Sequence, residues 1–194
     1  YLETVNYFYH QNAKPAIFIN SYLVLVNKYF YLTKDYIPYN LVKISETMVK
    51  CANKDIMLQE CVITSYIQMI TDLKLTNLYI FSGYRDYAKQ EALYKYYNDD
   101  NYSAKPGFSE HQTGLALDVS LLDIGLTDLF QDTPEYHLLV NNCYKYGFIL
   151  RYPKNKQTQT GYYFEPWHFR YVGKIHAKYI MEHKYQQDHQ HLLF

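Results

Sequence analysis

The chain has 194 residues, enough for one domain with a buried core. Its 19 Lys+Arg balance 19 Asp+Glu, so the formal net charge at pH 7 is zero. With no basic stripe either, a nucleic-acid partner and an anionic-membrane surface are both excluded.

Residues 1–20 are polar and aromatic and read as an N-terminal extension to a single domain spanning 1–194. Tyr22–Val26 reads as a short strand. Leu41, Ile44 and Met48 begin a helical pattern, and Leu58, Val62, Ser65, Met69 and Leu73 continue such spacing across a helix of about 56–74. Leu78–Phe81 is a strand that delivers Ser82-Gly83-Tyr84-Arg85 to a loop. Asp86 is placed to cap a helix running to about Tyr97, which sets Arg85 beside Gln90. Residues 98–108, with Pro106-Gly107, form an exposed loop.

Leu115, Leu117 and Val119 then alternate with Gly114, Ala116, Asp118 and Ser120, the period of a strand with one apolar face. Thr133-Pro134-Glu135 is a helix start and Gly147 a stop, so a helix covers 134–146. Phe148–Tyr152 and Tyr162–Phe164 flank the polar stretch 153–160 and read as a hairpin, followed by a strand at His168–Val172 and a helix over about 174–187. Without regular alternation of strand and helix, the pattern predicts an α+β fold with a small antiparallel sheet flanked by helices.

Three cysteines, Cys51, Cys61 and Cys143, lack metal spacing and read as core thiols. Twenty-five tyrosines serve either as apolar filling with a polar tip or as a face for sugar or peptide. No membrane span is visible, since the apolar run 16–26 is too short and contains Asn20.

Chemistry concentrates in two strings, Ser109-Glu110-His111-Gln112-Thr113-Gly114-Leu115-Ala116-Leu117-Asp118 and Glu165-Pro166-Trp167-His168. Between them they hold two imidazoles, a ligating carboxylate and a spare carboxylate. That is the inventory of a hydrolytic zinc site, which keeps three protein ligands, leaves a position for water and brings that water's pKa to about 7. The same-face neighbours of Asp118 are Ala116 and Gly114, so nothing bulky stands over its carboxylate. Pro166 biases Glu165 toward extended backbone, and the chain must turn for Glu165 and His168 to converge, with Trp167 packing away from the ion. The reading is therefore Zn2+ held by His111, Asp118 and His168, with Glu165 as general base and Arg85 as a forked donor for a carboxylate or an oxyanion.

These strings resemble the zinc D-alanyl-D-alanine carboxypeptidases of the VanY type, a group that also holds peptidoglycan L,D-carboxypeptidases and, more remotely, the hedgehog domain. Ser82-Gly83-Tyr84-Arg85 with Gln90 resembles the family's substrate-binding segment, and Tyr146–Pro153 the stretch before its last motif, so the likeness covers roughly residues 21–173. Thr33, Asn40 and Phe164 depart from the family's usual Pro, Asp and Tyr without removing a ligand. The resemblance implies a hedgehog/D-Ala-D-Ala-peptidase-like fold, peptidoglycan stem peptides as substrate and contacts from Gln90, Ser109, Arg151 and Tyr152. It also implies a monomer at the cell envelope, with any export or anchoring segment outside these residues. D,D cleavage is the leading expectation, with L,D cleavage of tetrapeptides, a cross-bridge endopeptidase and a non-catalytic zinc module as alternatives.

Overall fold

Hydrophobic spacing builds the first helix and the sheet it covers. In the computed structural model, which describes residues 13–16, 22–44 and 49–183, short strands β1 (Lys14–Pro15) and β2 (Phe30–Tyr31) pair in parallel. Strands β3 (Leu41–Lys43) and β4 (Met57–Gln59) pair antiparallel. Helix α1 (Glu60–Asp72) follows at once and buries Val62, Ile63, Tyr66 and Met69, positions three and four apart that make one stripe. Strand β5 (Leu78–Ser82) and helix α2 (Tyr87–Tyr97) come next, the helix capped by Asp86, whose carboxylate accepts from Lys89 N. Strand β6 (Ala116–Leu121), helix α3 (Pro134–Asn142), strand β7 (Phe148–Leu150), helix α4 (Gln157–Thr160), strand β8 (His168–Tyr171) and helix α5 (Lys174–His183) complete the described chain.

The central sheet has the order β5-β6-β8-β7, and all its pairings are antiparallel. One core contains Val62, Tyr66 and Met69 of α1 together with Leu78, Ile80, Leu117, Val119 and Phe169 of the sheet. The α+β class and the small antiparallel sheet flanked by helices are as the sequence predicts.

Several elements differ from expectation. Leu23–Val26 is buried but joins no strand among the described residues; the guanidinium of Arg170 donates to Tyr22 O at 3.2 Å and Val24 O at 2.9 Å. Leu41 opens a strand, not a helix, and residues 56–59 are not helical because Leu58 pairs with Val42; Met48 lies outside the described residues. The expected hairpin is absent: β7 pairs with β8, and the intervening 153–160 contributes the one-turn helix α4. Helix α3 gives way to a 3-10 turn over Cys143–Tyr146 before Gly147. The predicted end of the last helix, 184–187, also lies outside the described residues. All three cysteines are free thiols.

Candidate active site

Sheet register places the first residues of the site. Ser82 of β5 pairs with Asp118 of β6, and Asp118 pairs with His168 of β8, so the three lie in one row across the sheet. His111 arrives from the 3-10 turn Glu110–Thr113, which Ser109 caps by accepting from His111 N at 3.4 Å. Gly114 ends that turn at φ 68°, where an added Cβ would lie 3.0–3.3 Å from Leu41, Gln59 and Pro38 side chains. A left-handed, crowded position is one that only glycine takes without strain. Glu165 and His168 meet through a turn, since His168 N donates to Glu165 O at 3.3 Å and Pro166 fixes the first corner.

The imidazoles of His111 and His168 stand nearly perpendicular, with centroids 5.0 Å apart. His111 Nε2 lies 3.2 Å from Asp118 Oδ2, and His168 Nδ1 lies 3.1 Å from Asp118 Oδ1. One ligand atom from each of the three residues falls within 4.8 Å of the others, and this is the one such group among the described residues. All three are buried. Asp118 Oδ1 is buried and faces His168 Nδ1, so both atoms are in place to bind a cation entering between them. His111 Nδ1 faces Gly83 O at 2.7 Å, so its other nitrogen is the one turned to the cluster. Two imidazoles and one carboxylate fit a tetrahedral zinc with an open position. Glu165 Oε2 lies 3.4 Å from His168 Nδ1, outside the ligand group but beside it.

Burial pushes the Glu165 carboxyl up to about 7; His168 and Arg85 oppose this, and the negative charge of Asp118 and Glu110 adds to it. Burial alone would lower the His168 imidazole, but Asp118 and Glu110 reverse that and hold it at about 9. Asp118 stays far below the usual carboxylate range: burial would raise it, and the two imidazoles outweigh burial. Without an ion the site is thus a proton-holding cluster, and a cation entering it displaces that proton.

A cleft of about 260 Å³ opens over these groups, lined also by Ser82, Arg85, Ser109, Tyr102, Tyr152 and Trp167. Arg85 is half-buried, and its Nε donates to Gln90 Oε1 at 2.6 Å. Gln90 does not line the cleft; it is 1% exposed and its amide donates to Ser103 Oγ at 3.3 Å and to Ala104 O, tying Arg85 to the loop 98–108. Tyr152 packs on the His168 ring with centroids 4.8 Å apart. Arg151, expected to touch substrate, is fully buried and donates from Nε to Glu110 Oε1 at 2.8 Å. Trp167 packs against the core as expected, yet also reaches the cleft wall. Glu110 and Arg170, the other members of that buried group, escape a reading of the sequence; Arg170 has a weak signal, a charge between Phe169 and Tyr171, and Glu110, among Ser109, His111 and Gln112, has none without the tertiary contact.

Residues 55–174 match the family model for VanY D-alanyl-D-alanine carboxypeptidase. The chain belongs to that family. It is 35% identical over 181 residues to the bifunctional D-Ala-D-Ala dipeptidase and D-Ala-D-Ala carboxypeptidase VanXYC of Enterococcus gallinarum, covering 87% of this chain and 93% of that one. Among solved structures the LdcB LD-carboxypeptidase superposes with a TM-score of 0.78 at 35% identity, covering 85% of this chain and 83% of that one. The vancomycin-resistance D,D-pentapeptidase VanY, solved as a point mutant in complex with Zn(II), gives a TM-score of 0.68 at 28% identity over 88% of this chain and 98% of that one. YodJ of Bacillus subtilis is 46% identical over 114 residues, and the chain spans only 40% of its length. The VanY-family fold is therefore the frame in which this His-Asp-His cluster sits.

Proposed function

We propose that the chain is a zinc D,D-carboxypeptidase that removes the terminal D-alanine from peptidoglycan stem peptides. The observation that carries this reading is the convergence, in one cleft, of the buried His111-Asp118-His168 set with Glu165 and Arg85. A structural zinc site needs no carboxylate beside an open position, which speaks against a non-catalytic module. When bound, Zn2+ supplies electrophilic polarisation of the scissile carbonyl and acidifies water. Glu165, with a carboxyl poised near neutrality, takes the proton of the attacking water and returns it to the leaving amine of D-alanine. Arg85, held by Gln90 at the cleft wall, donates from its guanidinium to the free carboxylate of the substrate's last residue. The Zn(II)-bound VanY structure and the carboxypeptidase named in VanXYC support the metal and the substrate class.

The likeness to LdcB favours a second reading, cleavage of an L,D bond in tetrapeptide stems. The stereocentre before the scissile bond is read by the shape of the cleft, not by the zinc ligands. Either substrate places the enzyme at the cell envelope. Among the described residues no helix is long and apolar enough to cross a membrane. Mass spectrometry of pentapeptide and tetrapeptide stems after incubation with zinc-loaded protein tests both: loss of D-alanine from the pentapeptide is expected, cleavage of the tetrapeptide alone assigns the L,D reaction, and cleavage of neither refutes the proposal.

A further inference from the structure

Behind the metal cluster lies a second layer of charge, whose acidic member Glu110 also borders the cleft. Glu110, 1% exposed, sits immediately before His111 in the chain, yet its carboxylate points to the other imidazole. Oε1 accepts from Arg151 Nε at 2.8 Å and lies 3.2 Å from Arg170 Nη1, and both guanidiniums are fully buried. Oε2 lies 3.5 Å from His168 Nε2. Neither of those two atoms has a hydrogen-bond partner elsewhere among the described residues, and both are wholly shielded from water. An unpaired buried donor and acceptor facing each other is a costly arrangement unless they bond. A small rotation of the imidazole closes that gap.

We propose that Glu110 is a positioning residue for the metal: by accepting the Nε2 proton of His168 it fixes the tautomer that presents Nδ1 to the ion. This rests on the reading of His111, Asp118 and His168 as the zinc ligands. The cluster geometry agrees, since Nδ1 is the nitrogen facing Asp118 and Glu165. Carboxylate partners behind ligating imidazoles orient the ring and raise its basicity, and their loss weakens metal binding by about 10- to 100-fold. Arg151 and Arg170 hold the carboxylate and offset its burial, because a lone buried carboxylate is strongly disfavoured. Each imidazole therefore has its own rear anchor: a backbone carbonyl, Gly83 O, for His111 and the Glu110 carboxylate for His168.

The division of labour on Glu110 separates this role from mere stability. In Glu110→Gln the two guanidiniums, which only donate, draw the amide oxygen, so the amide NH2 turns toward His168 Nε2–H and donor meets donor. Arg151→Met removes one ion pair but leaves Oε2 in place. Zinc affinity by competition with a chelator, measured beside urea denaturation of the metal-free proteins, should show at least a tenfold weakening in Glu110→Gln. In Arg151→Met the change in affinity should stay within about threefold despite a comparable loss of stability. Equal weakening in the two variants, or unchanged affinity in folded Glu110→Gln, overturns the proposal. Should Glu110→Gln not fold, imidazole 15N NMR of the zinc-loaded wild-type protein decides. A slowly exchanging, far-downfield proton on His168 Nε2, as a buried carboxylate acceptor produces, is expected with the metal on Nδ1; a fast-exchanging Nε2 proton, or the metal on Nε2, overturns it. Failure of the underlying reading looks different: His168→Ala would then retain full zinc.

Discussion

Glu165→Gln should stabilise the metal-free protein at neutral pH while crippling the enzyme. The carboxyl has a reference pKa of 4.5 and is pushed to about 7 in the fold, chiefly by burial. The folded state therefore favours its neutral form. Below pH 4.5 the group is protonated folded or unfolded and nothing is lost; as pH rises to about 7 the unfolded chain ionises first, and folding becomes progressively less favourable. A shift from 4.5 to about 7 corresponds to roughly 3 kcal/mol at 1.36 kcal/mol per unit, and a side chain only 19% exposed leaves little solvent screening to discount. Glutamine has the same shape and no charge to desolvate. In chelator, urea denaturation should find the two proteins equal near pH 4 and Glu165→Gln ahead by about 3 kcal/mol at pH 8, or roughly 6–12 °C in Tm for a chain of this size. His168, held at about 9, makes both proteins lose stability as pH rises from 6.5 to 9; the part owed to Asp118 and Glu110 cancels in the difference, and the part owed to Glu165 is absent from the variant. With zinc present the gap should narrow, because the cation offsets the cost of a buried carboxylate, and kcat should fall by about 10²- to 10⁴-fold. Parallel stability curves across about pH 4–8, or a variant less stable at pH 8, would refute the assignment of Glu165 as a desolvated base.

Zinc affinity should rise about tenfold per pH unit between pH 7 and about 9, since the ion displaces one proton from His168, and then level off; isothermal titration in two buffers of different ionisation enthalpy counts that proton. Arg85→Ala should cost one to two decades in kcat/KM on a stem peptide with a free C-terminus, since a charge-assisted bond is worth roughly 1.5–3 kcal/mol. On the C-terminal amide the same change should cost little more, and an equal loss on both would move the guanidinium to the oxyanion. Gly83→Ala should lower both Tm and zinc affinity: its Cβ would fall 2.5 Å from Met57 O, so the backbone must shift and carry Gly83 O away from His111 Nδ1. Unchanged zinc affinity in that variant would detach Gly83 from the metal site.

Features that depend on local chemistry and short spacing are legible along the chain. Asp86 capping α2, the start of α3 at Pro134, the β6 alternation through Asp118 and the turn at Pro166 are all decided within a few residues. So is the inventory of His111, Asp118, Glu165 and His168, because each type has a distinct part in one hydrolytic chemistry. Strand pairing is not legible in this way. Leu41–Lys43 carries apolar residues that suit either period, and only the presence of Met57–Gln59 alongside makes it a strand. Phe148–Leu150 pairs with His168–Tyr171 across the intervening helix α4, a choice made by the sheet as a whole. The buried charges belong to the same class. The family resemblance makes Arg151 a substrate contact, and nothing along the chain assigns a part to Glu110. Only the folded chain brings Arg151, Arg170 and His168 around that carboxylate, from 41 to 60 residues away in sequence, where mutual pairing makes burial tolerable.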